Sequence, residues 1–164
     1  MTLRCIVMGA AGRDFHDFRT FFRTHPDLRV VAFTAAQIPF IERRAFPHEL
    51  AGPDYPDDIP IFPEEELPEL IDRLRADFVF LSYSDLAYAD VMHKASLVQS
   101  KGAAFAVLGP RHTMLTAKVP VIAVTATRTG SGKSPLTQFL ARSLRERGER
   151  VAVLRHPMPY GDLR

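Results

Sequence analysis

The chain has no tryptophan, a single cysteine and no apolar run near the roughly 18–20 residues that cross a bilayer. The missing run excludes a helical membrane span as an expectation. The lone Cys5 excludes an intrachain disulfide and makes the cytoplasm the default compartment. No internal repeat, low-complexity tract or aromatic-basic interleaving occurs, so nucleic acid is not an expected partner. The opening MTLRCIVMGAAG ends in a glycine turn followed by an Arg-Asp pair, which reads as a strand entering a loop and not as a signal peptide.

What remains is an ordinary globular composition. The 164 residues are 46% hydrophobic and 24% charged, enough for one domain or for a small domain and part of another. The net charge of +2 is unevenly spread: residues 1–118 carry 13 Lys/Arg against 16 Asp/Glu, and residues 119–164 carry 8 against 3. A basic second segment suits a polyphosphate ligand. Arg142, Arg145, Arg147 and Arg150 within it read as a solvated helix face.

Apolar periodicity predicts alternating strands and helices. Residues 3–8 form a buried-strand run that ends at Gly9-Ala10-Ala11-Gly12, and Phe15, Phe18, Phe21 and Phe22 then recur at helical spacing as core contacts. Residues 28–34 read as a second strand. Residues 35–69 hold seven prolines and many acids, an irregular connection with a short helix and a short strand at 59–62. Residues 65–75 read as a helix, 78–82 as a strand, 86–100 as a helix and 104–108 as a strand. The expected fold is α/β: a Rossmann-like parallel-sheet domain over 1–116, then the start of a P-loop NTPase domain over 117–164. That second part would comprise a strand at 119–125, a helix to about Arg147 capped by Gly148, and a strand at 150–155. One such unit is less than a complete nucleotide-hydrolysing domain, so the chain is expected to be the N-terminal part of a longer protein.

The strongest motif is TRTGSGKS at 127–134. Gly132-Lys133-Ser134 matches the phosphate-loop pattern and Gly130 precedes it, but Thr127 stands where the pattern has its first glycine. Small residues let the backbone N–H groups of Thr129, Gly130, Ser131 and Gly132 turn inward around a phosphate at a helix N-terminus. Lys133 would bridge the β- and γ-phosphates of ATP or GTP, and Ser134 would ligate Mg²⁺. Arg128 reads either as a charge stabiliser in the transition state or as a solvent-exposed structural arginine. These residue types cannot choose between adenine and guanine.

The first glycine turn is a weaker signal. Phe15 takes the third glycine position of a dinucleotide fingerprint, no acid ends the second strand at Phe33-Thr34-Ala35, and Asp14 would repel a pyrophosphate, so NAD is not expected. Arg13 and His16 could instead face another anionic group, or the turn could be purely structural. Asp85, in Tyr83-Ser84-Asp85 after a strand, reads as a helix N-cap or as a ligand contact. The stretch from Arg155 through His156 and Tyr160 to Asp162 places four polar side chains in a proline-stiffened loop, which reads as facing the nucleotide or its acceptor or as a plain loop.

Taken together, GAAGRDFHDF (9–18), FTAAQIP (33–39), YSD (83–85), TRTGSGKS and RHPMPYGDL (155–163) resemble the cyclic 2,3-diphosphoglycerate synthetase family over essentially the whole chain. The resemblance implies an ATP-dependent ring closure. It would form an intramolecular phosphoanhydride in a small phosphorylated acid and release ADP and phosphate. Lys133, Ser134 and Mg²⁺ would hold ATP, while Arg155 and His156 would steady the acceptor. Rival readings are a GTP-binding switch or metallochaperone-like GTPase, and a non-catalytic nucleotide-binding fragment that is inactive alone. The expected partners are a nucleoside triphosphate and a small anionic substrate, with a homo-oligomer left open.

Overall fold

A computed structural model describes residues 2–9, 12–36, 45–83, 86–126 and 130–154. The chain divides into two compact units, Met1–Leu115 and Thr116–Met158. Each is described by itself.

The first unit begins with β1 (Leu3–Met8), whose inner residues are buried on both faces, as a central parallel strand requires. It leads into α1 (Arg13–Thr20), then β2 (Leu28–Ala35), the two-residue β3 (Ala45–Phe46), the single turn α2 (His48–Ala51) and β4 (Ile59–Pro63). A short 3₁₀ turn then enters α3 (Leu67–Leu74). Pro68 sits in its first turn, where a missing N–H costs no helical bond. Arg75, in the left-handed region at φ 50°, ends it. β5 (Phe78–Leu81), α4 (Tyr88–Ser100), β6 (Ala104–Val107) and the turn α5 (Pro110–Thr113) complete the unit.

Among the described residues the strands form one six-stranded sheet in the order β3-β4-β2-β1-β5-β6. All neighbours pair in parallel except β3, which runs antiparallel to β4. From β1 the chain builds outward through β2 to β4, then returns to lay β5 and β6 on the other side. That reversal makes the sheet doubly wound and Rossmann-like, with a topological switch point between β2 and β5 beside the end of β1.

Two apolar layers flank the sheet. On one face Phe18, Phe21 and Phe22 pack with Val7, Phe33, Phe46 and Phe80, and Phe15 closes the layer from the side. Phe18 meets Phe33, Phe46 and Tyr55 edge-on at centroid distances of 5.1–5.9 Å, a geometry that aromatic quadrupoles favour. On the other face Leu67, Leu70 and Ile71 of α3 and Val98 of α4 cover Ile6, Met8 and Val79. The helical spacing of the phenylalanines therefore places α1 as expected.

The second unit departs from expectation. The segments 119–125 and 150–154 form no strand, and Val121 and Leu154 are 67% and 97% exposed. The helix is present as α6 (Lys133–Glu146), but none of its residues is buried. The physical reason is that a parallel strand has no internal hydrogen bonds and needs a neighbour. No sheet within this unit supplies one among the described residues. A strand-backed P-loop, or Walker A, domain is thus not what this unit shows. No helix among the described residues is long and apolar enough to cross a membrane.

Candidate functional site

In doubly wound sheets ligands bind outside the carboxyl ends of the strands, at the switch point. Here that edge carries Gly9 after β1, Thr34 and Ala35 at the end of β2, Ser82 and Tyr83 after β5, and the first turns of α1. Close packing sets its shape. A Cβ added at Gly9 would fall 2.5 Å from the Cβ of Asp14, so β1 can pass under α1 only as glycine.

Two carboxyls of α1 are buried at this edge. Asp14 is 2% exposed and Asp17 is 1% exposed. They share a helical stripe with Phe18 and Phe21 at i, i+3, i+4 and i+7, so the face that anchors α1 to the core also draws both carboxyls inward. Asp14 Oδ1 accepts the Gly12 backbone N–H at 2.8 Å. Asp17 Oδ2 accepts the Ser82 hydroxyl at 2.8 Å, and the Arg13 Nε lies 3.9 Å from the same oxygen. Burial pushes both carboxyls above the ordinary carboxylate range, against these hydrogen bonds, and their mutual repulsion adds to the rise at Asp14. Asp17 Oδ1 has no hydrogen-bond partner, nor has Thr34 Oγ1. Thr34 is also fully buried; it lies between Phe33 and Ala35, which face α1, and so belongs to the opposite face of the sheet.

On that opposite face a second polar group is fully engaged. The Tyr83 hydroxyl accepts the Ala36 N–H at 3.1 Å and donates to Glu64 Oε2 at 2.8 Å, while Lys94 pairs with the other oxygen of Glu64. One tyrosine so ties the ends of β2, β4 and β5. Burial first, and then the hydrogen bond to Glu64, push its hydroxyl well above the usual tyrosine range.

The structure distributes the sequence-derived site residues as follows. Arg13 faces Asp17, as above. His16 donates from Nε2 to the Thr113 carbonyl at 2.6 Å, which ties α1 to α5. Since Asp14 itself occupies N–H groups at the start of α1, that terminus has its own internal anion. Gly130 and Gly132 adopt left-handed φ values of 80° and 82°, and with Ser131 they lead into Lys133 and Ser134 at the start of α6. Arg128, Thr129, Asp85, Arg155, His156, Tyr160 and Asp162 lie outside the described residues. The buried role of Asp17 and Ser82 was missed by sequence reasoning. The available signal was an aspartate on the phenylalanine stripe.

His48, Glu49 and Asp58 also approach one another, with potential ligand atoms within 4.8 Å. The His48 backbone N–H and ring Nδ1 both meet Asp58 Oδ1 at 2.8 Å, which accounts for the cluster as a surface turn.

No family model matches the chain. The chain is 53% identical over 161 residues to arginine synthetase ArcE of Thermococcus kodakarensis. The match covers 98% of this chain and 36% of that protein, so the chain spans about a third of the relative's length. Among solved structures, RSP, a Rex-family repressor, is similar with a TM-score of 0.48 at 16% identity, covering 89% of this chain and 61% of that one. UDP-D-quinovosamine 4-dehydrogenase from Vibrio fischeri is similar with a TM-score of 0.47 at 12% identity, covering 66% of this chain and 80% of that one. Likeness at this level carries no argument about ligands.

The arginine synthetase relative overturns the resemblance to cyclic 2,3-diphosphoglycerate synthetases, and the ring-closing activity falls with it. Nor does it support a GTP-binding switch, a metallochaperone-like GTPase or a merely non-catalytic nucleotide-binding module. The physical reason is that turn and phosphate-binding motifs record how a backbone is shaped and leave the acceptor unspecified.

Proposed function

We propose that this chain takes part in forming arginine, with ATP as the driving nucleotide. The observation that carries the reading is 53% identity to an arginine synthetase along 98% of the chain. Completing a guanidinium group requires a nitrogen to displace a poor leaving group from carbon, which is unfavourable in water without activation.

A triphosphate would lie against Gly130 to Ser134. Left-handed Gly130 and Gly132 turn the backbone into the first turn of α6, where the helix dipole favours phosphate. Lys133 opens that helix and would carry the compensating charge, and Ser134 would ligate Mg²⁺. ATP, when bound, would supply the phosphoryl group that turns an oxygen of the precursor into a leaving group. Arg128, Arg155 and His156 are the candidates for steadying the transferred charge. Asp85, Tyr160 and Asp162 are candidates for holding the amino-acid precursor.

The test is arginine formation by the purified protein from ATP, Mg²⁺, ammonium and amino acids with an unfinished guanidino group, followed by amino-acid analysis. ATP-dependent arginine is the expected result, lowered at least ~10-fold by Lys133→Ala. Absence of ATP-dependent arginine with every precursor would overturn the reading.

A further inference from the structure

We propose that residues 121–125 and 151–154 of the second unit are a docking surface for polypeptide. They become strands of a β-sheet completed by polypeptide corresponding to the part of the arginine synthetase relative that lies outside the match. Exposed apolar surface and backbone hydrogen bonding point the same way. Val119, Val121, Ile122, Phe139, Val153 and Leu154 of this unit are each more than half exposed. Side chains of an extended segment alternate between two faces. Residues 121 and 123 then take one face, 122 and 124 the other, and all four are apolar, as are 151–154. Strands apolar on both faces belong inside a parallel sheet. Neither run carries a charge, the usual guard of an edge strand. Pro120 falls just ahead of the first run, where a lost ladder donor is tolerated. On α6, Leu136, Phe139 and Leu140 form an apolar stripe at i, i+3 and i+4, yet no residue of that helix is buried.

The occupant follows from what these segments need. A strand requires a neighbour that presents N–H and C=O groups at strand spacing, which neither a small molecule nor a lipid tail supplies. A second copy of this chain would bring the same two segments with the same needs. The match to arginine synthetase covers 98% of this chain but 36% of that protein, so about two thirds of the relative is further polypeptide. Strand addition joins such pieces through main-chain hydrogen bonds, while apolar side chains on alternate faces set the register.

The inference shares with the arginine reading only the relative that supplies the partner. The probe is the unmatched portion of arginine synthetase ArcE, made as a separate chain, or fused to this protein where it is insoluble alone. Amide hydrogen exchange is followed by mass spectrometry. In this protein alone, the amides of 121–125 and 151–154 should exchange as in an unstructured chain. With the probe they should slow at least ~100-fold, while β1 and β5 of the first unit change little. Ile122→Asp should abolish the slowing and leave β1 and β5 protected, which separates lost docking from misfolding. Three results overturn the proposal: slow exchange in this protein alone, as self-association would give; segments still unprotected with the probe and in the fusion; or full slowing in Ile122→Asp. Slowing without ATP-dependent arginine formation keeps this surface and removes the function. Arginine formation with the segments unprotected does the reverse.

Discussion

The Ser82 hydroxyl donates a 2.8 Å hydrogen bond to Oδ2 of Asp17, joining the end of β5 to α1 across 65 positions of sequence. It is the only polar tie by hydrogen bond to that carboxyl among the described side chains. Ser82→Ala strips it away and leaves a second oxygen of Asp17 short of a donor. The expected cost is about 1–3 kcal/mol of folding free energy, measured by urea denaturation at neutral pH. A change within about 0.5 kcal/mol, the range of a neutral surface substitution, would show that the bond does not hold the two elements together.

The pH dependence follows from the direction of the carboxyl shifts. Burial raises the folded-state affinity of Asp14 and Asp17 for protons above that of an unfolded aspartate, near about 3.9. Between that unfolded value and the raised folded value, the native state binds more protons than the unfolded state. The contribution of these groups is therefore present below about pH 4 and is lost as pH rises through the folded value. Asp14→Asn keeps an acceptor for the Gly12 N–H but cannot ionise. Its urea-unfolding free energy should lose less stability than the wild type's as pH rises above about 4. Parallel curves for the two proteins would count against a raised Asp14.

Cys5 is fully buried in β1, and burial pushes its thiol up to about 12, with Asp77 adding to the rise. Only a thiolate reacts at speed with disulfide reagents. The folded protein at pH 8 should therefore consume essentially no Ellman's reagent over minutes, and the unfolded protein in guanidinium chloride should consume one equivalent. Rapid labelling of the folded form would mean that β1 opens.

Much of the fold was legible because it depends on local pattern. Phe15, Phe18, Phe21 and Phe22 announce the buried face of α1, and the apolar runs of β1, β2, β5 and β6 announce a parallel sheet. β3 was not legible. Ala45-Phe46 is too short for any periodicity and is a strand only because it pairs with Ile59-Pro60. The run at 119–125 failed in the opposite sense: its apolar character is local, but strand formation depends on a partner.

The candidate site was less legible than the fold. From their place at a helix start, Arg13 and His16 read equally as facing an anionic ligand or as part of a structural turn, and the structure engages them with Asp17 and Thr113. The pairing of Asp17 with Ser82 has no local trace, since it arises when the chain returns across the sheet to lay down β5. Tyr83 stands out in the sequence only as the first residue of Tyr83-Ser84-Asp85 after a strand, yet its bonds to Ala36 and Glu64 bridge two further strand ends.

The close approach of Gly9 to Asp14 makes these two positions a single unit of change. The clash is with the Cβ of Asp14, so a side chain at position 9 becomes possible only after position 14 has become glycine, and a protein that alters position 9 first must pass through a misfit. New chemistry at this edge would therefore be reached in a fixed order of steps, with position 14 giving way before position 9.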